Sequence, residues 1–156
     1  MLSESYKNRI NELAGIKKPG ELNDAFKFWF KDSKVVRDGQ PLMVHHGTGK
    51  KFRKFNIKKS VQPIIWFTSS KGSIEAGEVG AAGHGHIMDL YISMQNPAGW
   101  NEYEKYGLGQ LESMGYDGAI LPDPDGKFDG FVFNPNQIKS VYNDGTWDAD
   151  DNNIYS

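Results

Sequence analysis

The chain has no cysteine. That excludes disulfides, thiolate metal sites and a cysteine nucleophile, and it fits a reducing compartment. No apolar run approaches the ~20 residues of a membrane-spanning helix. The opening residues, Met1-Leu2-Ser3-Glu4, show no basic segment leading into an apolar one, so no signal peptide is expected. There is no internal repeat. The glycines at 77, 80, 83 and 85 match neither a dinucleotide fingerprint nor a phosphate loop at the required spacing. These absences predict a soluble cytoplasmic protein without a membrane partner.

What is present is aromatic. The 156 residues, a one-domain length, carry nine Phe, seven Tyr and four Trp, enough to fill a real core. Net charge is only −2, but it is unevenly spread. Residues 1–60 hold 14 Lys/Arg against 6 Asp/Glu, and residues 61–156 hold 4 against 14. Such asymmetry marks either a basic face with an acidic tail or two halves that neutralise each other on folding. Within Lys50-Lys51-Phe52-Arg53-Lys54-Phe55 cations interleave with aromatics, in a basic stretch that runs on to residue 59. Two readings stand: contact with nucleic acid, or a loop pinned to the core by Phe52 and Phe55.

The pattern predicts many short strands and few helices, hence an α+β fold. Ser3 caps a helix over 4–14, and Asn23 caps a second whose Phe26, Trp29 and Phe30 share a face. Strands are expected at 42–46, 64–68, 86–94, 118–121, 130–133 and 138–142. Ser73 is read as capping a short helix to about Val79, and Asn101 a helix through Tyr103, Tyr106, Leu111 and Met114. Asp148 to Ser156 reads as a frayed acidic tail.

The stretch that organises the chain is Pro41-Leu42-Met43-Val44-His45-His46-Gly47-Thr48, a buried strand running into a His-Gly-Thr turn. It is preceded by Ala25-Phe26-Lys27-Phe28-Trp29-Phe30, Ser33-Lys34-Val35-Val36 and Asp38-Gly39-Gln40-Pro41. It is followed by Trp66-Phe67-Thr68, Asn96-Pro97, Tyr116-Asp117-Gly118 and the run Phe133 to Ser140. In order and spacing these motifs, over roughly 25–142, resemble the ADP-ribosyltransferase domains of phage and prophage polyvalent proteins. More distantly, the His-Gly-Thr strand is similar to that of the poly(ADP-ribose) polymerases and diphtheria toxin.

The resemblance implies two small packed β-sheets, flanked by short helices, with an NAD cleft between them. It implies an N-terminal helix and linker (1–24), a transferase-like domain (25–142) and an acidic tail (143–156). The activity implied is mono-ADP-ribosyl transfer from NAD to a host protein or nucleic acid, a toxin-like glycosyltransferase chemistry in the bacterial cytoplasm. The alternative is a catalytically weak or inactive binding or inhibitory module on the same scaffold.

Site residues follow from the resemblance one by one. His46 matches the histidine that bonds the adenine-side ribose, Gly47 the glycine that clasps the nicotinamide amide, and Thr48 the residue after it. Trp66, followed by Phe67 and Thr68 in the cofactor-binding strand, aligns with the residue that stacks on nicotinamide. His45 fills a position more often aromatic and is read as packing. Four residues before Phe133 the family places a glutamate. Here the residue is Asp129, an acid shortened by one methylene, about 1.5 Å of reach. Asp129 and His46 are the expected catalytic residues, whereas Asp117 and Gln137 are read as structural. Two rivals fail. His45, His46, His84 and His86 lack the carboxylate spacing of a metal site, so no metal is expected. Thr68-Ser69-Ser70 and Gln110-Leu111-Glu112 imitate the arginine-serine-glutamate class, but the latter falls in a helical stretch.

Overall fold

The computed structural model describes residues 18–49, 52–56, 63–75 and 85–156. The helix expected over 4–14, His84 and the glycine-rich residues 77–83 lie outside them. Asn23 opens the first described helix, α1 (Asp24–Phe30), and its side chain accepts from Phe26 N–H, as the sequence predicts. Asp38 and Gly39, both at positive φ, turn the chain between β1 (Val36–Arg37) and β2 (Gln40–Pro41).

The remaining strands form one sheet: β3 (Val44–Thr48), β4 (Ile65–Thr68), β5 (His86–Ile92), β6 (Pro97–Ala98), β7 (Gly118–Pro122), β8 (Phe128–Val132) and β9 (Ile138–Ser140). Their spatial order is β6-β7-β8-β4-β3-β5-β9, antiparallel except for the β6–β7 pair. With its short helices the fold is α+β. The sheet is unevenly stitched. β3 and β5 share five register pairs from Val44–Leu90 to Thr48–His86, and β4 and β8 share four. β3 and β4, between them, share one, His45 with Thr68. The sheet is therefore two ribbons, β6-β7-β8-β4 and β3-β5-β9, joined at a single residue pair.

Each face is covered by its own core. Val44, Phe67, Leu90, Val132 and Ile138 pack on one side with Phe55 and Ile154. On the other, Ala119, Leu121 and Phe131 meet Leu111. Under α1, Phe26, Trp29 and Phe30 close on Trp147, whose indole stacks 6.0 Å from that of Trp29.

Three local expectations are corrected. The helix through 101–114 is two short ones, α3 (Trp100–Lys105) and α4 (Leu108–Ser113), because the chain is extended at Tyr106 and Gly107 between them. Helix α2 (Lys71–Glu75) starts before Ser73: the Ser70 hydroxyl accepts from Ser73 N–H, so Ser70 supplies the start. Residues 148–156 are not frayed. Ile154 is fully buried, and the buried Lys139 ammonium donates to the carbonyls of Asp151, Asn153 and Ser156. Phe52 and Phe55 meet edge to face at 4.7 Å and Arg53 lies 6.0 Å from the Tyr155 ring, the arrangement of a pinned loop.

Candidate active site

Where β3 and β4 part, the residues facing across the gap are those of the His-Gly-Thr motif and the Trp66 strand. Counting from the His45–Thr68 pair, His46 would stand opposite Phe67 and Gly47 opposite Trp66. The β3–β4 register has no further pair there, and a side chain bridges the strands: His46 Nδ1 lies 2.6 Å from the Trp66 carbonyl oxygen. A carbonyl only accepts, so Nδ1 carries the proton and Nε2 is left with a free lone pair. The His46 ring also meets Phe55 edge-on at 5.0 Å. Burial lowers its pKa from the usual 6.5, and the bond to the Trp66 carbonyl opposes that only in part. His46 is thus a neutral imidazole able to accept a hydroxyl proton.

Gly47 is buried, and Thr48 is half-buried beside His86. Gly85, at φ +131°, packs against the Thr48 carbonyl so closely that a Cβ there would lie 2.5 Å from the oxygen. The indole of Trp66 is half-buried, with Phe131 at 5.1 Å and Tyr103 at 6.4 Å, both edge-on. Phe67 points into the core instead, over Gly130, where a Cβ would lie 2.5 Å from its ring. Gly130 is what lets β8 approach β4 at this point.

Asp129 enters from β8. It is half-buried and in register with Thr68 on one side and Leu121 on the other. Opposed residues of antiparallel strands share a face. The register therefore runs Asp89, His45, Thr68, Asp129 as one row across β5, β3, β4 and β8. Alternation sends His46 to the other side of β3, toward Phe55. Thr68 is buried, and its hydroxyl oxygen accepts from Ser70 N–H.

The sequence marks His45 as packing and gives Asp89 no role. The two are bonded, His45 Nδ1 to Asp89 Oδ1 at 2.8 Å. Alternation in β5 was the signal, since it sets Asp89 apart from the apolar Met88 and Leu90. Asp89 also walls a cavity of about 350 Å³ with Phe52, Lys71, His86 and Tyr142. Asp117 and Gln137 hold loops. Asp117 accepts from Gln95 and Asn96 N–H, and Gln137 donates to the Ser93 and Asp117 carbonyls. Gln110 and Glu112 are exposed on α4. Among the described residues there is no group of three His, Asp or Glu placed to hold a metal ion, and no helix is long and apolar enough to cross a membrane.

No curated protein and no solved structure matches the chain. Residues 37–114, half of it, match the family model described as ADP-ribosyltransferase in polyvalent proteins. The match takes in His45 to Thr68 and ends before Asp129. On that match, with the His-Gly-Thr strand set beside the Trp66 strand, the chain belongs to the ADP-ribosyltransferase family of polyvalent proteins.

Proposed function

We propose that the protein is an NAD-dependent mono-ADP-ribosyltransferase acting on a host macromolecule, protein or nucleic acid, in the cytoplasm of a phage- or prophage-bearing bacterium. The reaction breaks the bond between ribose C1′ and nicotinamide. Nicotinamide leaves as a neutral base and needs little acid help, while the ribose gains oxocarbenium character, as in glycoside hydrolysis. The site must therefore grip the substrate and place a negative charge beside C1′.

The observation that carries the reading is the single-pair join of β3 and β4, which parts the strands at His46-Gly47-Thr48 and Trp66 with Asp129 one strand away. His46 Nε2 accepts from a ribose hydroxyl. The Gly47 backbone holds the nicotinamide amide, and Thr48, Phe67 and Thr68 frame the strands on either side. Trp66 offers its indole to the cationic ring. Asp129 supplies the charge.

The test is incubation with NAD labelled in the adenylate moiety, with and without bacterial lysate, resolving protein from nucleic acid. Label in a macromolecular fraction with release of nicotinamide supports transfer. The second reading, a binding or inhibitory module, draws on the short reach of Asp129. It predicts NAD binding with no nicotinamide release in any fraction.

A further inference from the structure

His45 is held in one orientation by a carboxylate. Its Nδ1 lies 2.8 Å from Asp89 Oδ1, and since an ionised carboxylate only accepts, Nδ1 carries the proton. In the neutral imidazole Nε2 is then the basic nitrogen, and it lies across the ring from the Asp89 contact. On the side of β3 away from β5 the register places Thr68 and then Asp129 on the same face as His45. Two strand spacings put the His45 and Asp129 backbones about 10 Å apart, with the small Thr68 between them. That span accommodates a reacting carbon beside the carboxylate and an attacking group beside the imidazole. A histidine that merely packs needs no carboxylate partner. The pair is not sealed off: the His45 side chain keeps 9 % of its surface and that of Asp89 18 %.

We propose that His45 is the general base of the transfer step, oriented by Asp89, and that the acceptor attacks through a neutral O–H or N–H group. The inference rests on the transferase reading above. The bond from C1′ to the nicotinamide nitrogen breaks, and its electron pair leaves with nicotinamide. The bond from C1′ to the acceptor heteroatom forms, and the acceptor's proton passes to His45 Nε2. The resulting imidazolium is paired with Asp89. An acceptor carboxylate has no proton to give and would gain nothing from His45, so the geometry selects hydroxyl, amide or amine acceptors.

A proton-free nucleophile tests this. NAD consumption is measured in water, in dilute methanol and with added azide, for wild type, His45→Phe and Asp89→Asn. Phenylalanine keeps an aromatic ring at position 45 without a basic nitrogen, and thermal melts establish that each variant is folded. General-base catalysis is typically worth 10²–10⁴-fold. His45→Phe should lose at least 100-fold in hydrolysis and methanolysis, with azide restoring most of the nicotinamide release. Asp89→Asn should lose less and be rescued in the same way. Should His45→Phe fail to fold, Asp89→Asn alone decides, because only an orienting role makes its loss azide-sensitive. Solvolysis within a few-fold of wild type, or loss that azide does not repair, makes His45 a packing residue. Wild type that consumes no NAD with any of the three nucleophiles overturns the transferase reading itself, and this inference with it.

Discussion

His45 on β3 and Thr68 on β4 are the one register pair that joins the two ribbons of the sheet. An ordinary antiparallel contact spreads its hydrogen bonds over several residues, as β3 and β5 do. Here the strands meet at a point and separate beyond it, and His46 spans the gap with one bond to the Trp66 carbonyl. The His-Gly-Thr motif therefore lies where the two ribbons of the sheet are least held together. A gap of this kind depends on side chains for its shape, so its residues carry stability whatever else they do.

His46 makes that dependence measurable. Its folded pKa lies below the unfolded value of 6.5, so the unfolded chain binds a proton more readily. Stability from the neutral imidazole is present above pH 6.5 and is lost as pH falls toward the folded pKa, levelling off below it. His46→Gln keeps a donor for the Trp66 carbonyl and removes the titration. Denaturant midpoints between pH 8 and 5 should fall less steeply in the variant, by up to one proton, or about 1.4 kcal/mol per pH unit. Parallel curves would place the acid lability elsewhere in the chain.

The C-terminal segment is a structural member. Trp147 is buried, stacks on Trp29, and donates from its indole to the Glu21 carbonyl at 2.8 Å. Trp147→Ala should cost roughly 3–5 kcal/mol, as large aromatic truncations in a core do. Chemical denaturation measures the loss. A cost under 1 kcal/mol would mean that residues 143–156 are dispensable to the fold.

The readable parts of this chain were those where local pattern and tertiary packing agree. Asn23 followed by Phe26, Trp29 and Phe30 specifies both a cap and a buried face, and the helix forms there. Alternation in Met88 to Ile92 matches β5. The tail could not be read, because Asp148 to Ser156 is polar and its anchor is remote: Lys139 supplies an ammonium to three of its carbonyls. Only register reveals that β3 and β4 meet at one pair, and periodicity within a strand says nothing of its partner. The His45–Asp89 bond was half legible, since alternation assigns both to polar faces but does not pair β3 with β5.

Trp66 should report substrate. If NAD places its nicotinamide ring against the indole, tryptophan emission will be quenched on binding, and Trp66→Phe will remove most of the change. Trp29 and Trp147 are buried, whereas Trp100 is exposed and joins Trp66 through the Tyr103 ring, so Trp100→Phe serves as the control. Quenching that survives in Trp66→Phe would move the nicotinamide away from β4.

Asp129 decides between catalysis and binding. Its carboxylate is half-buried on β8, directly across from Thr68, with Gly130 letting the strand close on β4. A negative charge beside an oxocarbenium-like ribose acts on the transition state far more than on bound NAD, so its removal should lower turnover and spare affinity. Asp129→Asn keeps the shape and deletes the charge. The expected loss in nicotinamide release is about 100- to 1000-fold, the scale for a single preorganised electrostatic group. NAD affinity by calorimetry should stay within a few-fold. Asp129→Glu restores about 1.5 Å of reach. Misplacement near 1 Å costs on the order of 100-fold, so this variant should match or exceed wild type. Equal turnover in wild type and Asp129→Asn would assign the charge to another carboxylate, with Asp89, in the same row, the first to examine.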